Sequence, residues 1–136
     1  LAVNVKGPFF VTRAAAPLLT KTGGSAVVNV SSTAGVVGLG SSIAYCASKG
    51  ALNTMTKSLA RVLAPAVRVN AVCPGPINSR WLLRNMSAEE LQAMTDEFPI
   101  PRPAEPEDIA DTVLYLAVGT NLATGQLLVV DGGRTM

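Results

Sequence analysis

Apolar positions along this chain alternate between a helical and an extended period, and each change of period marks an element. From Leu1 to about Leu19, the residues Val3, Phe10, Ala14 and Leu18 recur at helical spacing. Gly7-Pro8 interrupts that stretch without forbidding a helix. Lys21-Thr22-Gly23-Gly24 reads as a stop and turn. Ser25 to Val30 is a short β-branched run and predicts a buried strand, followed by a Ser- and Gly-rich stretch over Ser31–Ser42 that must be loop at least in part. Ser41 or Ser42 then caps a long helix through Tyr45 and Lys49 to about Ala64, where Pro65 stops it. Its predicted apolar stripe is Ala44, Ala47, Ala51, Leu52, Met55, Leu59 and Leu63.

Val67 to Val72 predicts a second buried strand, and Pro74-Gly75-Pro76 turns the chain after it. Between Ile77 and Pro103 the pattern is irregular. Ser87-Ala88-Glu89-Glu90 predicts the start of a short helix there, with acid in its first turn. Phe98–Pro103 reads as open coil. Glu105-Pro106-Glu107-Asp108 opens another helix, to about Val118, with Pro near its first position. Leu127 to Val130 predicts a third buried strand, closed by Asp131-Gly132-Gly133. Strands apolar throughout and alternating with helices imply a parallel α/β sheet covered on both faces. Such sheets bind ligands outside the carboxyl ends of their strands. Those ends are Ser31-Ser32, Cys73-Pro74-Gly75 and Asp131-Gly132-Gly133.

Composition narrows the chemistry. The 136 residues match one ordinary domain, with 49% hydrophobic residues, 15% charged residues and a net charge of +2. No Lys/Arg stripe points to nucleic acid or to an anionic membrane. No run of about 18 apolar residues predicts a membrane helix. Ala14-Ala15-Ala16 resembles a signal-peptide cleavage site but lacks a basic segment before it, so a secretory leader is rejected. Histidine is absent, which removes histidine triads and histidine metal sites, and no metal ligand set is expected. Cys46 and Cys73 read as buried, reduced thiols of a cytoplasmic protein. Leu1 is not Met, and Leu1–Val5 reads as the middle of an element.

Tyr45-Cys46-Ala47-Ser48-Lys49 carries the sharpest chemical hint. Tyr and Lys four residues apart share one face of a helix. An ammonium beside a phenol favours the phenolate, which makes the phenol a usable general acid or base. By itself the spacing is common and usually means a solvated helix face. Ser31-Ser32, alone, reads as loop residues satisfying backbone groups, and Asn4 as a polar helix residue. Gly38-Leu39-Gly40 lacks the third glycine of a dinucleotide fingerprint and opens no strand–helix unit, so it is treated as a decoy. Asp131-Gly132-Gly133 reads as a structural turn. Trp81 lies in the irregular segment, facing either a substrate or another subunit.

Five motifs in order change the weighing. Asn29-Val30-Ser31-Ser32-Thr33-Ala34-Gly35, Tyr45-Cys46-Ala47-Ser48-Lys49 and Val69-Asn70-Ala71-Val72-Cys73-Pro74-Gly75 resemble the classical short-chain dehydrogenase/reductase family. Asn4-Val5-Lys6-Gly7 and Val130-Asp131-Gly132-Gly133 fit the same pattern. The resemblance covers nearly the whole chain. It implies a Rossmann-like doubly wound parallel sheet and hydride transfer between NAD or NADP and a small-molecule carbonyl or alcohol. It implies Tyr45 as acid/base, Lys49 favouring the phenolate and binding the nicotinamide ribose, Ser32 holding the substrate oxygen, and Asn4 completing a proton relay through water. Pro74, Gly75, Ile77 and Ser79 would wrap the nicotinamide, with Ser79 standing where the family more often has Thr. Assembly as a homodimer or homotetramer is implied as well; the small residues Ala14, Ala15, Ala16, Ala47 and Ala51 permit close helix packing, between subunits or within the chain.

One part of the family pattern has no counterpart. A dinucleotide fold needs a Gly-rich turn after its first strand, where a helix N-terminus meets the pyrophosphate. Residues 1–136 contain none, nor an identifiable adenosine-ribose partner. The expectation is therefore a single partial domain, lacking the N-terminal βαβαβ portion. Two functions of different class remain: part of an NAD(P)-dependent oxidoreductase, or a non-catalytic remnant or interaction module of the same fold.

Overall fold

The computed structural model describes residues 1–136. A π-helical turn at Ala2–Lys6 runs into α1 (Gly7–Thr22), so Gly7-Pro8 sits at a helix start, where proline's missing N–H is harmless. Gly23 and Gly24, both at positive φ, turn the chain into β1 (Ser25–Val30). The Ser- and Gly-rich stretch after it contains a short helix that the pattern did not predict, α2 (Ala34–Val37). Then come α3 (Ile43–Leu63) and β2 (Val67–Pro74), which runs two residues past the predicted end. A 3-10 turn (Leu82–Arg84), α4 (Ala88–Thr95) and α5 (Pro106–Leu114) follow. A π turn at Tyr115–Gly119 takes the end of the expected last helix, before β3 (Leu127–Val130).

Local chemistry explains the helix boundaries. Ser42 is extended, and its hydroxyl accepts from Tyr45 N (3.1 Å), capping α3. Ala64 leaves the helical region because Pro65 follows it. In α4 the Ser87 hydroxyl takes the Glu90 amide while the Glu90 carboxylate takes the Ser87 amide, a reciprocal cap. On α5 the Asp108 carboxylate takes the Glu105 amide (2.8 Å), one half of the same arrangement.

The three strands are parallel in the order β1-β2-β3, with Ser25 beside Val67 and Val72 beside Leu128. Parallel neighbours need crossover connections, and α3 supplies one while the Ile77–Gln126 segment supplies the other. Alternate β2 residues face opposite sides. Val67 and Val69 pack with Ala60 of α3, whereas the Arg68 guanidinium reaches Leu116 O (2.7 Å) and Ala117 O (2.8 Å) after α5. Helical segments thus cover both faces, as in Rossmann-like folds.

The strands are not equally buried, contrary to the expectation from their apolarity. All eight β2 residues are buried. In β1 most positions are half-buried and Val30 is exposed; β3 is half-exposed. The reason is lateral: β2 has a strand on each side, while β1 and β3 each have one neighbour. Beside the free edge of β1, Val3 and Val11 are also exposed. No helix is long and apolar enough to cross a membrane.

Leu52 is buried and Leu59 and Leu63 pack on the core, as the predicted stripe of α3 requires, but its start is corrected. Ser48, Leu52, Thr56 and Ala60, spaced by four, point inward together with Asn53, while Ala44 and Ala47 are exposed. The polar members are tolerated because each has a partner; no buried side-chain polar atom is left unpaired. Thr56, for example, accepts from Asn29 of β1 (2.9 Å) and donates to Leu52 O (2.8 Å).

Candidate active site

The site is built where β1 and β2 end beside the first half of α3. As β1 finishes, Ser31 N still bonds Val72 O (2.8 Å), and Thr33 N bonds Pro74 O (2.9 Å). Pro74 can end a central strand because the position needs a carbonyl and no N–H. The Ser31 hydroxyl donates to Lys49 O (3.3 Å), tying the loop to α3. Gly35 is required at the same seam. A Cβ there would stand 2.5 Å from the Lys49 carbonyl carbon and 2.7 Å from Gly50 N.

Ser32 is half-buried, and its Oγ accepts from Ala34 N (3.1 Å). A hydroxyl that accepts in this way keeps its own proton free to donate elsewhere. Tyr45 and Lys49 occupy successive turns of α3, with Lys49 Nζ 5.9 Å from the Tyr45 ring centroid. Lys49 Nζ donates to Val30 O (2.9 Å) at the end of β1. Burial, the larger influence, pushes the Lys49 ammonium below its ordinary range, and the nearby Cys73 sulfur pulls the other way. Burial also pushes the Cys73 thiol up, against hydrogen bonds from Ser31 and Ser32 and the charge of Lys49.

Asn4 reaches the same region from the opening π turn. Its amide donates to Ser48 Oγ (3.1 Å), and Ser48 donates to Tyr45 O (2.7 Å). The side chain is therefore linked to the Tyr45 turn through Ser48, a residue the motif reading passed over. The available signal was a serine three residues after Tyr45, well placed to bond back to its carbonyl. Asn4, Val11, Val30, Lys49 and Leu52 help line an open groove of about 420 Å³ along the free side of β1.

The residues after β2 divide into two groups. Pro74 and Gly75 stay in the site: Gly75 N bonds Val130 O (2.9 Å), and a Cβ on Gly75 would meet Asp131 Cβ at 2.8 Å. Ile77 instead pairs with Ala104 through a parallel bridge, and Ser79 O accepts from Leu82 and Leu83 N at the 3-10 turn. No hydrogen bond ties Ile77 or Ser79 to α3. Asp131 serves its turn, accepting from Gly133 N, Thr135 N and Thr135 Oγ1. Gly38, at positive φ, ends α2, which leaves the Gly38–Gly40 stretch a turn between helices. Cys73 is buried and Cys46 half-buried, both as free thiols. Trp81 is largely exposed. No group of acidic or thiol side chains is arranged to hold a metal ion.

A parallel sheet with helices on both faces defines a Rossmann-like fold, with Ser32, Tyr45 and Lys49 beside its strand ends. The comparison with known proteins makes the family plain: this chain belongs to the short-chain dehydrogenase/reductases. A family model described as enoyl-(acyl carrier protein) reductase matches residues 1–135. The short-chain dehydrogenase/reductase homolog YusR of Bacillus subtilis is 40% identical over 132 residues, 97% of this chain and 100% of that protein. A solved short-chain dehydrogenase/reductase of Burkholderia xenovorans is 44% identical with a TM-score of 0.87, over 96% of this chain and 51% of that one. The structure of ElxO with NADP bound is 30% identical with a TM-score of 0.86, over 96% and 54%. Apart from YusR, the chain spans about half the length of relatives such as an oxidoreductase of Thermotoga maritima, of which it covers 57%.

Proposed function

We propose that residues 1–136 form the acid–base portion of a single partial domain in an NAD(P)-dependent oxidoreductase that interconverts a carbonyl and an alcohol. The observation that carries this reading is the seam itself. Tyr45 and Lys49 share one face of a capped helix, and the Ser32 loop is fastened to that helix at Lys49. The NADP-bound ElxO relative supports the cofactor class.

The donor set fits the nicotinamide end of such a cofactor. Lys49 brings a half-buried cation to the groove, and Pro74-Gly75 lies at the neighbouring strand end. Residues 1–136 offer no Gly-rich turn for the pyrophosphate, so that end depends on other residues. When bound, the nicotinamide supplies or accepts the hydride. In reduction the Tyr45 hydroxyl gives its proton to the substrate oxygen, and in oxidation it takes that proton back. The free Ser32 proton hydrogen-bonds the same oxygen, consistent with its Oγ accepting from Ala34 N. Lys49 binds the nicotinamide ribose. Asn4, through Ser48, steadies the Tyr45 turn and completes the relay. Pro74 and Gly75, with Ile77 and Ser79 further along the same segment, form the nicotinamide-side wall. Assembly of the active form as a homodimer or homotetramer, in the cytoplasm, belongs to the same reading.

A non-catalytic module of this fold is the second reading, favoured by the free apolar edge of β1, a surface suited to another polypeptide. One screen separates the two. The complete gene product is assayed with NADH and NADPH against a panel of ketones and aldehydes, following loss of reduced-nicotinamide absorbance. Turnover with at least one carbonyl is expected; none across the panel, in a folded protein, would sink the oxidoreductase reading.

A further inference from the structure

Asn53 lies four residues beyond Lys49 on the same face of α3, and its side chain is 5% exposed. It touches all three elements that meet at the site. Its Nδ2 donates to Gly35 O (3.0 Å), just after the Ser32 turn. Its Oδ1 accepts from the Cys73 thiol (3.7 Å), one residue before Pro74. Its own backbone belongs to the helix that carries Tyr45 and Lys49. The amide orientation is fixed by chemistry. A carbonyl oxygen can only accept, so the nitrogen must face Gly35, which leaves the oxygen for the one S–H donor present.

Gly35 is the lever in this arrangement. Gly35 N donates to Ser32 O (3.0 Å), Ala34 N donates to Ser32 Oγ (3.1 Å), and Gly35 itself rests on the Lys49 backbone. α2 has only four residues, ends in glycine and has no side-chain cap of its own. Such a segment is too short to hold itself helical. Its geometry must come from outside, and the Asn53 amide is the side-chain donor that supplies it. We propose that Asn53 is a positioning residue: by holding Gly35 O it sets the Ser32 turn, and hence the aim of the Ser32 hydroxyl relative to Tyr45. This rests on the oxidoreductase reading.

The test uses the complete gene product with four changes. Asn53→Asp removes the donor to Gly35 but keeps an acceptor for Cys73. Asn53→Leu keeps the volume and removes both arms, Cys73→Ala removes the sulfur arm alone, and Ser32→Ala removes the hydroxyl being aimed. Asn53→Asp and Asn53→Leu should each lower kcat by about tenfold while KM and cofactor Kd stay within about twofold, the pattern of a lost transition-state contact. Cys73→Ala should leave kcat within about twofold. In the Ser32→Ala background Asn53→Asp should add less than about twofold, because groups acting through one another are not additive. Independent losses in that cycle, or folded Asn53 variants with unchanged kcat, would overturn the proposal. So would failure of both Asn53 variants to fold, which would make Asn53 a core residue and nothing more.

Amide hydrogen exchange on the complete gene product gives a readout free of turnover. Ala34 and Gly35 should exchange faster in Asn53→Asp than in wild type, while amides in the second half of α3 keep their rates. Unchanged exchange at Ala34 and Gly35 would show that Asn53 does not hold the turn. A wild-type protein without turnover would remove the oxidoreductase reading, and the exchange result would still decide the anchoring.

Discussion

The two sides of the β1–α3 unit differ sharply. On the inner side, Asn29 meets Thr56, Ser31 meets the Lys49 backbone, and Asn53 joins Gly35 to Cys73, so polar groups are paired across every seam. On the outer side, β1 has no neighbouring strand, and Val3, Val11 and Val30 are exposed along an open groove. Free edges are normally blunted by lysine, proline or a bulge. The run Ser-Ala-Val-Val-Asn-Val has none of these and has the composition of an interior strand. The difference separates a seam closed by paired polar side chains from a strand edge left open.

The largest expected effect tests the inner side. Tyr45→Phe in the complete gene product should abolish measurable turnover and leave cofactor affinity nearly intact; retained turnover would remove Tyr45 from its role. The outer side is tested by titrating NADH and NADPH into residues 1–136 in a calorimeter. No binding heat is expected, and tight binding would erase the contrast between the two sides.

Gly35→Ala sharpens the inner seam. A methyl group 2.5 Å from the Lys49 carbonyl carbon forces α2 away from α3, at a cost of roughly 1–3 kcal/mol in denaturant unfolding. Thr56→Val keeps the shape but leaves the Asn29 amide buried without an acceptor, at a cost of about 1–3 kcal/mol; a neutral result would mean that Asn29 finds another partner.

The smallest effect lies far from both sides. Hydrogen bonding to Arg102, with help from the Glu105 amide, lowers the Asp108 carboxyl from 3.8 to about 2. A depressed carboxyl contributes stability above its unfolded value, and that contribution fades as pH falls toward about 2. Arg102→Gln should therefore lower Tm slightly at pH 6, and the difference from wild type should shrink below pH 3.8. The pair is exposed, so salt should shrink it too. A pH-independent difference would assign the loss to packing.

Elements with local signals were legible in the sequence. The Ser42 cap, the Pro65 stop and the Ser87–Glu90 pair each act within one helical turn, and the structure places those helix ends accordingly. What escaped depends on distant partners. Ser48, Asn53 and Thr56 lie on the buried face of α3, but a pattern of apolar residues assigns polar ones to solvent. α2 was missed because Gly35, Val36 and Val37 favour helix poorly, and its support comes from Asn53, eighteen residues away. The burial of β1 and β3 was overestimated because apolarity records what a strand is suited to, not what stands beside it. Ser32, Tyr45 and Lys49 were singled out by motif, and the turn carrying Ser32 bonds the helix carrying the other two. Ile77 and Ser79 were assigned by the same motif; in the structure Ile77 pairs with Ala104, and the Ser79 carbonyl accepts at the 3-10 turn.

Pro74 at the end of the central strand limits which main-chain donors that rim can offer. It has no N–H, the amide of Gly75 is committed to Val130, and that of Thr33 is committed to Pro74. Enzymes that transfer acyl groups stabilise a developing oxyanion with main-chain amides aimed at one point. At these positions the amides already have partners, and proline has none to give. The end of the central strand thus offers no spare main-chain donor at Thr33, Pro74 or Gly75 to hold a tetrahedral oxyanion.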